Sequence, residues 1–148
     1  MPGVARTHIA AEALVDAPPA EVFAFLSDLR NHWRLEGRFV ELDALDTDGR
    51  GGRVRIAGPF GLGRVARTRV IATELDAALR GTAELSGGTR AAVRWDIAPH
   101  ESGSRVTLGA QVEHASPTDR FLLALGGRRW LERMFARAVS RLDEVLAD

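Results

Sequence analysis

The sequence predicts an α+β fold: a seven-stranded antiparallel sheet wrapped around a long C-terminal helix, with two short helices between strands 1 and 2. Three observations carry that prediction. A strand passes directly into a helix across Val15 to Asp28, strand-like segments separated by turn residues fill the middle of the chain, and an amphipathic helix occupies Ser116 to Asp148.

The first strand alternates Thr7, Ile9, Ala11, Ala13 and Val15, the inward set, with Arg6, His8, Ala10, Glu12 and Leu14. It ends at Asp16. Pro18 or Pro19 then sits in a first helical turn, where no N–H is needed and the fixed φ suits the helix, and Val22, Phe23, Phe25 and Leu26 turn toward the sheet. Asp28 starts a second short helix, Leu29 to Leu35, that ends at Gly37. The strand-like runs that follow are Arg38 to Leu45, Gly52 to Ala57, Gly63 to Leu75, Leu79 to Leu85, Thr89 to Ile97 and Ser104 to His114. Turn signals at Asp48-Gly49, Gly58-Pro59, Asp76, Ser86-Gly87-Gly88 and Glu101-Ser102-Gly103 make these a meander of antiparallel neighbours. Ser116-Pro117-Thr118-Asp119 forms a capping box with proline at the first helical position. In the helix it opens, Trp130, Leu131, Met134, Phe135, Ala138, Leu142 and Val145 recur at helical spacing, so one stripe faces the sheet. Gly126-Gly127 interrupts this helix and predicts a kink or hinge.

Composition narrows the chemistry. A chain of 148 residues fits one domain spanning 1–148, long enough to bury a core without staples. All 20 basic residues are arginines and 20 acidic residues balance them, so no net field draws in nucleic acid or an anionic membrane. Lacking lysine, cysteine and tyrosine, the chain has no Schiff-base amine, no thiolate and no phenol. The four histidines, His8, His32, His100 and His114, have no metal-ligand spacing, and no phosphate or dinucleotide loop is present, so neither metal nor cofactor is expected. The amino terminus carries no apolar run of signal length, and no segment approaches the roughly 20 apolar residues of a membrane span. A cytoplasmic protein without membrane insertion is the expectation.

A curled sheet with small inward residues leaves a hollow, and Ala11, Ala13, Gly81, Ala83, Ala91 and Ala110 are such residues. Leu108 and Val112 share an apolar face of the last strand with His114, which is a candidate general base or, equally, a rim histidine bonded to the adjacent helix cap. With Ala72 and Glu74 taken as outward, Arg67 and Arg69 fall on the side of Ile71 and point inward, where a guanidinium would clamp an anionic oxygen. A β-bulge would instead turn both to solvent. Trp95, Trp33, Trp130 and Met134 are ligand-contact candidates that serve a solid core as well, and Phe60 lies in a glycine-rich hairpin, Gly58 to Gly63, at the cavity rim. Arg129, Arg133, Arg137 and Arg141 repeat every four residues and read as a solvated helix face.

The strand-Ala17-Pro18-Pro19-Ala20-Glu21-Val22-Phe23-helix opening, the long closing helix and the late strand start Gly103-Ser104-Arg105-Val106-Thr107 resemble the START-like (SRPBCC) superfamily of polyketide cyclases and lipid-transfer domains. The resemblance covers about Ile9 to Leu146 and implies a helix-grip fold around a ligand cavity. It also implies cofactor-independent polyketide cyclase or dehydratase chemistry on a hydrophobic, oxygenated ligand, with His114 moving a proton and Arg67 or Arg69 steadying an enolate. Schemes that need a phenol do not carry over. A second reading is a non-catalytic carrier or sensor of a lipid, quinone or polyketide, which predicts an almost wholly apolar pocket with both arginines outward. A third is a dimeric interaction module with a collapsed cavity. The partners expected are a hydrophobic small molecule or polyketide intermediate and, for the last reading, a second copy of the chain.

Overall fold

A computed structural model describes residues 7–36, 40–57 and 63–147. Strand β1 (Thr7–Val15) is followed by helices α1 (Pro19–Ser27) and α2 (Leu29–Glu36). Strands β2 (Val40–Leu45), β3 (Gly51–Ala57), β4 (Gly63–Glu74), β5 (Ala78–Leu85), β6 (Arg90–His100) and β7 (Gly103–His114) come next, and α3 (Pro117–Leu122) and α4 (Arg128–Ala147) close the chain. All seven strands form one antiparallel sheet in the order β1-β7-β6-β5-β4-β3-β2. The expected α+β helix-grip architecture is therefore present. The meander runs from β2 to β7, and β1 returns to pair with β7, Ile9 opposite Ala110 and Ala13 opposite Val106.

The strand-to-helix passage forms as its prolines dictate. Pro18 is extended (φ −67°, ψ 155°) and Pro19 starts the helix, with the Val22 N–H donating to the Pro18 carbonyl at 3.2 Å. Val22 and Leu26 are fully buried against the sheet, a burial worth roughly 1.5–3 kcal/mol per side chain. Asp28 leaves the helical conformation (φ −92°, ψ 108°), which separates α1 from α2.

The main core joins the inner face of the sheet (Ile9, Leu79, Ile97, Val106, Leu108) to α4 through Phe135, Ala138, Val139 and Leu142. The Asp16 N–H donates to Asp143 at 2.8 Å and so pins the end of β1 to α4. Ser104, also buried, donates to the Ala17 carbonyl at 2.6 Å. Gly103 fits beside that bond because a Cβ there would lie 2.3 Å from the Val15 carbonyl oxygen. A smaller cluster of Val40, Val54 and Ala66 packs under Met134 at the other end of the sheet.

Register shifts interrupt the sheet at Asp43 of β2, Ile71 of β4 and Glu113 of β7, and the closing helix is interrupted as well. Strand β4 carries a bulge at Ile71, between the pairs Val70–Gly81 and Ala72–Arg80. The closing helix is broken as its glycine pair predicts: a π-type turn, Leu123–Gly127, separates α3 from α4, and Gly126 lies at φ 114°. Strand β6 runs on to His100, past the Ile97 end expected from sequence, and pairs there with Gly103 across a turn at Glu101 and Ser102. The Gly37 stop expected for the second helix, the Arg38 start expected for β2 and the hairpin tip 58–62 lie outside the described residues.

Candidate ligand cavity

The sheet curls over α4 without filling the space between them, leaving a cavity of about 280 Å³. Small side chains on three central strands create it: Gly81 and Ala83 on β5, Ala91 on β6 and Ala110 on β7 line the sheet wall. Ala11 and Ala13 instead pack into the main core. Trp130, Leu131, Met134 and Phe135 from α4 form the opposite wall, with Leu122 and Leu123 above. The lining is overwhelmingly apolar, and the cavity's volume lies just below the ~300–1,000 Å³ typical of small-molecule sites.

Its polar groups are few and ordered. His32 of α2 lines the cavity and meets Trp95 edge to face, ring centroids 5.8 Å apart at 74°. Its Nε2–H donates to the Leu26 carbonyl, which fixes Nδ1 as the unprotonated nitrogen. Burial pushes the imidazole below its ordinary pKa, against the opposing pull of that carbonyl and of Asp28, so the ring is neutral. Thr68 of β4 also lines the cavity, and its buried Oγ1 has no hydrogen-bond partner among the described residues.

At one end a charged cluster closes the space. Arg64, at the start of β4, grips Asp119 of α3 with both terminal nitrogens, Nη2 to Oδ2 at 2.9 Å and Nη1 to Oδ1. Nη2 also donates to the Ser86 carbonyl at 3.1 Å. Asp119 accepts further from the Thr89 hydroxyl, while its own N–H donates to the Ser116 cap oxygen at 3.2 Å. The Ser116 N–H in turn donates to Thr89 Oγ1 at 3.1 Å. Thr89 and Asp119 are both buried. The Arg64 hydrogen bonds hold the Asp119 carboxyl below its ordinary range in spite of desolvation, with Thr89 and Ser116 helping, and Asp119 raises Arg64 in return.

Several residues singled out by sequence meet here: Trp95, Leu108, Val112, Trp130 and Met134 all line the cavity. Phe60 and the side chain of Trp33 lie outside the described residues. The three groups expected to carry chemistry do not reach the hollow, and those placements are corrected. Arg67 is exposed and lies 3.8 Å from Asp46. Arg69 borders the cavity, but its guanidinium is on the outer face, paired with Asp48 at 2.6 Å and Asp46 at 3.5 Å. The reason is the Ile71 bulge. Alternation counted back from Ala72 and Glu74 crosses an unpaired residue and changes parity, so Arg64, Ala66, Thr68 and Val70 face inward and the intervening residues outward. His114 is exposed at the end of β7, opposite Arg90, because the unpaired Glu113 of β7 shifts the register between the pairs Arg90–His114 and Ala91–Val112 and breaks the alternation with Val112.

Sequence reasoning missed His32, Thr68, Thr89 and the Arg64–Asp119 pair. Asp119 was visible as the last residue of the capping box, and Arg64 has the opposite strand parity to Arg67 and Arg69. Nothing in the sequence links residues 55 positions apart. Arg129, Arg133 and Arg137 are exposed on α4, as a solvated face requires, whereas Arg141 is half-buried with its Nε shielded from water, so the solvated stripe does not extend to it. Among the described residues there is no cluster of metal-ligating side chains, and no helix is long and apolar enough to cross a membrane.

Known proteins place this geometry in context. A protein of Thermus thermophilus superposes with a TM-score of 0.69 at 22% identity, over 95% of this chain and 97% of its own. One from Mycobacterium smegmatis gives 0.71 at 17% identity, over 94% and 90% of the two chains. A putative protein of the dynemicin biosynthetic locus gives 0.58 at 20% identity, over 92% of this chain and 47% of that one. At these identities the likeness shows the fold. No curated relative matches the chain. The family model described as polyketide cyclase / dehydrase and lipid transport matches residues 6–147, and with that match the chain belongs to this family within the START-like superfamily.

Proposed function

We propose that this chain binds one hydrophobic, oxygenated small molecule in the cavity and holds it as a carrier or sensor of a lipid, quinone or polyketide. The observation that carries the reading is the lining itself: about 280 Å³ of mostly apolar wall, with Arg67 and His114 outside it and the guanidinium of the bordering Arg69 turned to Asp48 on the outer face. Burial of apolar ligand surface against Trp95, Leu108, Trp130 and Met134 supplies the affinity, at roughly 25 cal/mol per Å² of area removed from water. A few polar groups fix orientation. An open cavity of this size also favours a ligand-binding role over an interaction module with a collapsed interior.

One observation favours polyketide cyclase or dehydratase-like catalysis as the second reading. His32 is a neutral imidazole on the cavity wall, and the bond to Leu26 leaves Nδ1 as its basic nitrogen. A group of that kind removes a proton next to a carbonyl while the shaped cavity holds the chain folded, effects worth about a hundredfold or more in rate.

Native mass spectrometry of the purified chain, followed by organic extraction and titration with a hydrophobic dye, tests the proposal. One bound molecule per chain is expected, and Arg67→Ala, Arg69→Ala and His114→Ala should retain it. An empty protein that takes up no dye overturns the binding reading. Turnover of a poly-β-ketone analogue that His32→Ala abolishes, with the ligand still bound, replaces the carrier reading by the catalytic one.

A further inference from the structure

We infer that the cavity selects neutral, oxygen-bearing ligands over carboxylates, and that Asp119 sets this preference by occupying Arg64. The inference deepens the binding reading above and rests on it. Among the described lining residues, Arg64 and Asp119 are the charged side chains that belong to the inner face. Arg69 and Arg80 border the cavity at strand positions whose side chains alternate outward, and both are exposed.

The one inward-facing cation among the described lining residues is already committed. Arg64 makes two bonds to Asp119 and one to the Ser86 carbonyl, three of the five donors a guanidinium offers. The pair is largely removed from water, with side-chain exposures of 18% for Arg64 and 8% for Asp119. An entering carboxylate has two choices. It displaces Asp119, leaving that carboxylate buried with only hydroxyl partners, or it lies beside Asp119 with no counter-charge. Either arrangement buries an uncompensated anion, whereas a ketone, ester or alcohol disturbs nothing. Neutral His32 adds no second cation.

A neutral oxygen also finds an unfilled partner. Thr68 Oγ1 is buried on the cavity wall with no hydrogen-bond partner among the described residues, so a rotation about χ1 that turns it toward a ligand oxygen breaks no bond among them. Thr68 sits opposite Ala83 on β5, next to the small residues that open the cavity, so the ligand's polar group belongs on the sheet side and its apolar body against α4.

The test is calorimetric titration of the full chain with dodecanoate and with methyl dodecanoate, below aggregation and at a pH where the acid is ionised. The wild-type chain should bind the ester at least about tenfold tighter, a difference of the size one tenfold step in Kd represents. Asp119→Asn, which keeps the shape but frees a charged guanidinium, should move the preference toward dodecanoate by about tenfold. Arg64→Gln breaks the same pair without leaving a cation and should produce no such move. Equal wild-type affinity for the two probes overturns the inference without any variant having to fold. An equal gain of dodecanoate binding in both variants also overturns it, because loosening of the cavity end and not charge would then be responsible. Binding of neither probe by a folded chain overturns the binding reading together with this one.

Discussion

Asp119 is the side chain on which most of the cavity's polar order depends. It ties β4, the β5–β6 turn and α3 together through Arg64, Thr89 and Ser116. Removing one member of a mostly buried pair strands the other charge, so Asp119→Ala should lower the stability of the chain by about 2–3 kcal/mol in urea unfolding. The exposed Arg69–Asp48 pair behaves differently. Water screens it, and Arg69→Ala should leave the unfolding midpoint unchanged. The pH dependence has a definite sign. Because the Asp119 carboxyl is held below its ordinary value of 3.8, its contribution is complete above that pH and is lost as pH falls through the lower folded value. The stability gap between wild type and Asp119→Ala should therefore narrow only in strong acid, and a gap that closes near neutral pH would show that the pair is not its source.

At the scale of elements, two local irregularities decide what enters the cavity. The Ile71 bulge leaves Ile71 itself 61% exposed and turns Arg67 and Arg69 outward, which makes the sheet wall apolar. The break at Gly126 lets α3 leave the line of α4, so that Leu122 and Leu123 roof the cavity while Asp119 reaches Arg64. Gly126 has a φ of 114°, where an L side chain is strained, although open space surrounds it. Gly126→Ala should therefore cost about 1–2 kcal/mol in thermal unfolding through backbone strain alone. Gly109 on β7 is the control, since a Cβ there meets nothing closer than 3.7 Å and its φ is ordinary. Gly109→Ala should be close to neutral, and a similar loss in both would remove the conformational argument.

At the scale of the whole molecule, the cavity exists because a seven-stranded sheet curves around one helix and small residues meet on its concave side. Filling that space tests its role. Ala83→Leu and Ala91→Leu each add a branched side chain to the sheet wall where room exists, so dye uptake should fall at least about tenfold while the melting temperature holds or rises. Cavity filling in this sense separates a binding space from a packing defect. Retained uptake would mean that the dye binds elsewhere.

How much of this was legible in the sequence depends on the range of the interactions involved. The strand-to-helix passage at Pro18 and Pro19, the turns at Asp48-Gly49 and Ser86-Gly87-Gly88, the Ser116 cap and the glycine break in the closing helix are set by neighbouring residues, because φ restrictions, caps and short-period patterning act within a few positions. The placement of Trp95, Leu108, Val112, Trp130 and Met134 on the cavity wall was readable for the same reason, since periodicity assigns their faces. Strand β4 shows where that ends. A single unpaired residue changes parity, and its position is fixed only when β5 pairs with β4, with Gly81 opposite Val70 and Arg80 opposite Ala72. His32 reaches Trp95 across 63 positions and Arg64 reaches Asp119 across 55, distances over which no local propensity acts. The sequence by itself thus determined the order of elements and the apolar wall, whereas the tertiary structure decided which charged groups face the cavity, because register and long-range ion pairing are chosen by the packed sheet as a whole.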